Sequence, residues 1–75
     1  MQFQIFTEKT FEGFDASLPS IRECESWAKT EDEALENLLE RVRFFLNLPV
    51  TRKHSIDVMH KEDGRTYYTL TIKDL

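Results

Sequence analysis

The side chains of this 75-residue chain that carry reactive chemistry are few: one cysteine, two histidines and scattered carboxylates. His54 and His60 stand six positions apart in what reads as one strand. At about 3.3 Å per residue that separates them by about 20 Å, too far to share a metal ion. No metal or other cofactor is expected. Asp15 and Asp57 become a nuclease-type carboxylate pair only if the sheet makes them neighbours; the ordinary alternative is two solvated, outward-facing acids. Cys24 as a nucleophile requires a base and a lowered pKa, and no neighbour in sequence supplies either. It reads as a small core residue. Ser26 and Thr30 lack the Gly-x-Ser-x-Gly context of an activated serine. Arg52-Lys53-His54 is the one compact basic cluster, a solvated strand end or else a phosphate site. These residues point to binding rather than catalysis, and the chain is not expected to be an enzyme.

Charge narrows the kind of partner. The formal net charge is −4 and is unevenly spread: residues 1–48 carry 10 acids against 5 bases, residues 49–75 carry 4 against 5. Duplex-binding proteins carry a basic patch or stripe, so direct nucleic-acid binding is not expected. A protein with a basic surface fits the acidic half better. The single cysteine excludes an internal disulfide and suits a reducing compartment. No signal peptide or membrane-spanning run is legible, so the expected location is cytoplasmic. One core of this size yields a margin on the order of 3–5 kcal/mol, which oligomerisation or a partner would raise.

These side chains must be positioned by a small set of elements, of which the helix over residues 30–46 is the most sharply defined. Thr30 and Glu33 form a capping box. Glu31, Asp32 and Glu33 in the first turn and Arg41 and Arg43 near the end match the helix dipole. Ala34, Leu35, Leu38, Leu39, Val42, Phe45 and Leu46 form one apolar stripe that must be buried. Glu36, Asn37, Glu40, Arg41 and Arg43 take the solvent side. Pro49 blocks continuation.

Before the helix, Gln2-Phe-Gln-Ile-Phe-Thr7 alternates as a half-buried strand, with Phe3 and Ile5 on one side and Gln2, Gln4 and Phe6 on the other. A second strand spans Phe11 to Leu18, with Phe14, Ala16 and Leu18 on one parity. Gly13 within it signals a bulge or a close backbone approach, and Pro19 ends it. A third strand spans Glu23 to Lys29. After the helix, residues 51–75 read as a hairpin in which a three-residue loop, Glu62-Asp63-Gly64, pairs Val58 with Tyr68, Ile56 with Leu70, Asp57 with Thr69 and Met59 with Tyr67. The expected fold is α+β, in the order β-β-β-α-β-β, with the helix on one face of a mainly antiparallel sheet in a single domain over residues 1–75.

The third strand carries the main question about function. If Cys24, Ser26 and Ala28 pack under the helix, Trp27 is thrown onto the outer face beside Glu23 and Glu25, and Phe6 joins it. An exposed aromatic among acids is a partner anchor, since interfaces are enriched in Trp and Phe. In the opposite register Trp27 is core and Cys24 lies outside, because a one-residue slip exchanges the faces. Alternation alone leaves both open.

About two thirds of the chain resembles a known family. Phe11-Glu-Gly-Phe-Asp-Ala-Ser-Leu-Pro19, then Ser20-Ile-Arg-Glu-Cys24, then Thr30-Glu-Asp-Glu-Ala-Leu-Glu-Asn37 is similar to the HicB-like antitoxins in both motif and spacing. In that family a glycine-containing second strand ends in proline, a short loop leads to a Cys-bearing third strand, and Thr-x-x-Glu-Ala opens the helix. Two departures remove glycine turns: Ile21-Arg22-Glu23 stands where the family has Leu-Pro-Gly, and Ala28-Lys29 where it has Gly-Asp. Many members also carry a C-terminal DNA-binding module, and no second helical pattern follows Pro49 here. The resemblance implies a truncated ribonuclease-H-like fold without nuclease activity and a role in masking a small, basic, RNA-cleaving HicA-type toxin. Its alternative is a small scaffold or regulatory domain of the same fold without a toxin, in which the aromatic face makes a homodimer.

Overall fold

The computed structural model describes residues 1–49 and 51–73. The elements follow in the expected order: β1 Gln2–Lys9, β2 Phe14–Ser17, β3 Glu25–Ala28, α1 Glu31–Leu46, β4 His54–Glu62 and β5 Arg65–Ile72. All neighbouring strands are antiparallel and form one five-stranded sheet in the order β3-β2-β1-β5-β4. The second and third strands are shorter than their alternation predicts. Phe11 is fully exposed in the turn before β2, and Glu23 adopts φ 62, a left-handed conformation that no strand residue holds. The last strand ends at Ile72; Asp74 and Leu75, included in the expected hairpin, lie outside the described residues.

The helix starts at the expected N-cap, Thr30. Thr30 is extended, at φ −117 and ψ 155, and its hydroxyl accepts from the Glu33 N–H at 3.2 Å. It stops through Asn47 rather than through Pro49. Asn47 takes φ 53, its N–H donates to the Phe44 carbonyl at 3.2 Å, and the Leu48 N–H donates to the Arg43 carbonyl at 2.9 Å. That is a Schellman-type end with asparagine in the left-handed position usually held by glycine. Ala34, Leu38, Leu39 and Val42 are buried, and Leu35 and Leu46 pack against them. Phe45, expected in the stripe, instead remains 45% exposed at its margin.

The core lies between the helix and the inner sheet face, where Ile5, Ala16, Leu18, Cys24 and Ala28 meet Tyr68, Leu70 and Ile72. One acid reaches into it. Thr7, fully buried, donates its hydroxyl to Glu31 Oε2 at 2.6 Å. The Tyr68 phenol is pushed up to about 12 by burial and by its contact with the Glu31 carboxylate, so it stays protonated and donates. Glu31 thus joins the first turn of α1 to β1 and β5 through charge-assisted bonds. The helix backbone runs nearest β3 and β2, and its side chains reach β5 and β4, where Glu31 meets Tyr68 and Arg43 meets His54.

The terminal hairpin divides its register in two. At the tip Glu62 pairs with Arg65 around Asp63 and Gly64, whose φ values of 47 and 79 make a two-residue type I′ turn. The three-residue loop expected from the sequence is absent. Further from the tip, Val58 pairs with Tyr68, Asp57 with Thr69 and Ile56 with Leu70, as expected. The extra residue that connects the two registers is a bulge at Met59: His60, not Met59, stands opposite Tyr67. Among the described residues, no helix is long and apolar enough to cross a membrane.

Candidate partner-binding face

Trp27 lies on the outer face of the sheet. The parity is fixed from beneath, where Ala28 and Cys24 are buried and the Ser26 hydroxyl donates to the Ala34 carbonyl of α1 at 2.7 Å. This leaves Trp27 45% exposed on an edge strand. Gly13 accounts for its seat. A Cβ at position 13 would meet the Ala28 carbonyl oxygen at 2.3 Å and Trp27 Cζ2 at 2.9 Å, so only glycine lets the chain pass this close to the indole. The glycine expected to mark a bulge or a close approach marks the latter.

Registry brings the remaining outward residues into two rows across the sheet. One runs Trp27, Asp15, Glu8, Arg65 and Glu62; the next runs Glu25, Ser17, Phe6, Tyr67 and His60. Phe6 and Tyr67 have ring centroids 5.8 Å apart, and the His60 imidazole stacks on Tyr67 at 4.6 Å. Arg65 lies over the Phe6 ring at 4.6 Å and reaches Glu8 Oε1 at 3.5 Å. Both ends of that ion pair are about two-fifths exposed, so it orients side chains more than it adds stability. A shallow depression between Phe6 and Trp27 is bordered by Glu8, Asp15, Ser17 and Glu25. The expected Trp27, Phe6 and Glu25 therefore share one surface, while Glu23 stands apart from the rows, exposed in the turn before β3.

Sequence reasoning did not identify Tyr67, Arg65, His60, Glu8 or Asp15 as members of this face. Tyr67 and Arg65 become its neighbours only because β5 crosses to the far side of β1, a long-range pairing without a local signal. A second aromatic surface was also missed. Beyond the β3 edge, Trp27 shares a groove with Asn37, Glu40, Arg41, Phe44 and Phe45. Phe44 is 82% exposed and its ring meets Phe45 edge-on at 5.9 Å.

The residues considered for chemistry are dispersed. Asp15 on β2 and Asp57 on β4 are separated by β1 and β5, three strand spacings or about 14 Å. They are not the neighbours that a carboxylate pair requires. His54 lies beside Arg43, 3.3 Å from its guanidinium, whereas His60 stacks on the opposite face of β4. Burial, opposed more weakly by Arg41, pushes the Cys24 thiol up, which keeps it protonated and a poor nucleophile. In the basic trio, Arg52 donates to the Lys73 carbonyl at 2.8 Å, which ties the segment before β4 to the end of β5. Among the described residues, no group of three His, Cys, Asp or Glu side chains is placed to hold a metal ion. What the face offers is a π surface with acids around it. Comparisons with protein-family models, with curated proteins and with solved structures find no match.

Proposed function

We propose that this chain is an antitoxin-like binding protein that neutralises a small, basic, RNA-cleaving HicA-type toxin by covering its active surface. The observation that carries the reading is the outer-face cluster: an exposed Trp27 with the half-buried Phe6 and Tyr67 on one sheet face among Glu8, Asp15 and Glu25. A small protein gains by burying an indole, so one held outward by a glycine seat is available for contact. Acids around such an anchor steer a basic partner to it, and aromatic burial then slows its departure. The HicB-like motif spacing supports the same class of partner. In this reading the β1-β2-β3 meander with α1 laid across it is a truncated ribonuclease-H-like fold that serves as a scaffold.

The test begins with the open reading frame beside this gene. A small basic protein encoded there should arrest growth and degrade RNA when expressed alone, and co-expression of this chain should restore growth and stop the cleavage. A neighbouring basic protein that still cleaves RNA at a stoichiometric excess of this chain, or the lack of any such neighbour, overturns the reading.

A further inference from the structure

The long edge strand β4 runs for over half its length without a bulge or a proline. Edges are ordinarily blunted by bulges, inward charges or proline. Here the bulge at Met59 and the inward-side Lys61 guard only the part nearer the turn. From His54 to Val58 there is neither bulge nor proline; its guards are the exposed Asp57 on the outer side and Arg43 of α1 against His54 on the inner side, and Val58 is 61% exposed. Among the described residues, no strand pairs with this edge.

The direction of the unpaired backbone groups follows from one bond. The Lys73 N–H donates to the Lys53 carbonyl at 2.9 Å, so the facing residues His54 and Ile72 are a non-hydrogen-bonded pair. Alternation then gives Ser55 and Asp57 to β5 and turns the N–H and C=O groups of His54, Ile56 and Val58 outward. These three face solvent in a single row.

We propose that this edge pairs with the same edge of a second copy, antiparallel about a two-fold axis through Ile56, to make one sheet that runs through both chains. Self-pairing at Ile56 places His54 of each chain opposite Val58 of the other, so every outward group between them finds a reciprocal partner. It also places Ser55 opposite Asp57, with Lys53 and Asp57 of the second copy on the two diagonals from Asp57. A register centred on Asp57 instead puts the two Asp57 carboxylates directly opposite each other, which is unfavourable, and the Met59 bulge removes the outer bonds. Hydrogen bonding selects the centre at Ile56: a centre at Ser55 would set Lys53 opposite Asp57 but would turn the outward groups of Val58 towards Arg52, whose N–H already donates to the Pro49 carbonyl and whose carbonyl accepts from Arg43.

The inner face fits the same occupant. The α1 backbone lies nearer β3 and β2 than β4, and between them Leu35, Leu39, Ile56 and Val58 line an open groove with Asp32 and Glu36 on its rim. In the paired state His54 of the second copy stands opposite Val58, on the side where these two carboxylates lie. The contact is short, so it gives a reversible dimer that forms with concentration rather than an obligate one.

The experiment is sedimentation equilibrium of the full chain up to about 1 mM, with amide hydrogen exchange at the two ends of that range. The expected result is a monomer–dimer equilibrium in which the amides of His54, Ile56 and Val58 gain protection with concentration, while those of Ser55 and Asp57 do not change. Val58→Lys, at an exposed position, should weaken association by roughly tenfold or more, at the level expected for an inward charge on an edge strand. Ser55→Lys, placed opposite Asp57, should strengthen it. A chain that stays monomeric throughout, or a dimer that both variants leave unchanged and whose added protection lies at Trp27 and Phe44, overturns the proposal.

Discussion

Gly13 and Trp27 form the smallest unit from which the surface is built. A Cβ at position 13 would stand 2.3 Å from the Ala28 carbonyl oxygen, so any side chain there must displace β3. Gly13→Ala is expected to cost about 1–3 kcal/mol, as overpacking does, and to shift the indole emission of Trp27, the only tryptophan. A melt and an emission spectrum check both. An unchanged spectrum would mean that the indole does not rest on Gly13. His54 gives a second test at this scale. Burial and the neighbouring Arg43 hold its pKa below the usual 6.5, so the unfolded chain takes up a proton first as pH falls. Stability conferred by the neutral ring is present above about 6.5 and is lost as pH drops through the folded value. His54→Gln should flatten that part of a stability-against-pH curve measured by urea unfolding; a variant curve parallel to that of the parent would remove the assigned cause.

Among the elements, the helix was the most legible, since the Thr30 cap, the acidic first turn and the apolar spacing are all local signals. Leu38 is at the centre of that stripe and is only 1% exposed. Leu38→Ala should cost roughly 2–5 kcal/mol, comparable with the whole margin of a 75-residue domain, and leave the chain largely unfolded by circular dichroism. A loss within about 0.5 kcal/mol, the range of surface changes, would contradict the packing of α1. The hairpin was half legible. Apolar matching identified the register far from the tip but led to a three-residue loop, because the sequence offers no mark for the Met59 bulge that makes this register compatible with a two-residue Asp63-Gly64 turn. Trp27 was undecidable for a related reason: strand alternation gives two faces without saying which is inside. The small residues Ala28 and Ser26 resolve it only once α1 is packed against them. Glu31 looked like a dipole acid and is in addition the bond between α1, Thr7 and Tyr68.

For the whole molecule, the sheet separates two surfaces by chemistry. The outer face towards β3 gathers aromatics and acids, and the far edge at β4 offers bare backbone. A basic partner on the first should associate in a salt-dependent way, since exposed charges are screened within about 8 Å at physiological ionic strength. Glu23→Lys with Glu25→Lys is expected to slow association and flatten its dependence on salt, with little effect on dissociation; stopped-flow mixing with the proposed basic partner measures both rates. Equal association rates and salt slopes for parent and variant would assign no steering to these acids.

The most direct test of the proposed partner-binding face is a titration of the isotopically labelled chain with the proposed partner, a basic, RNA-cleaving protein, followed by backbone amide resonances and repeated with Trp27→Ala after its fold is verified. Phe6, Glu8, Asp15, Glu25, Trp27 and Tyr67 are expected to shift together, and Trp27→Ala to cost at least about 2 kcal/mol of binding, as a hot spot does. Shifts confined to the exposed side of α1 or to the terminal hairpin, with a well-folded Trp27→Ala binding as tightly as the parent, would contradict a partner seated on the outer face.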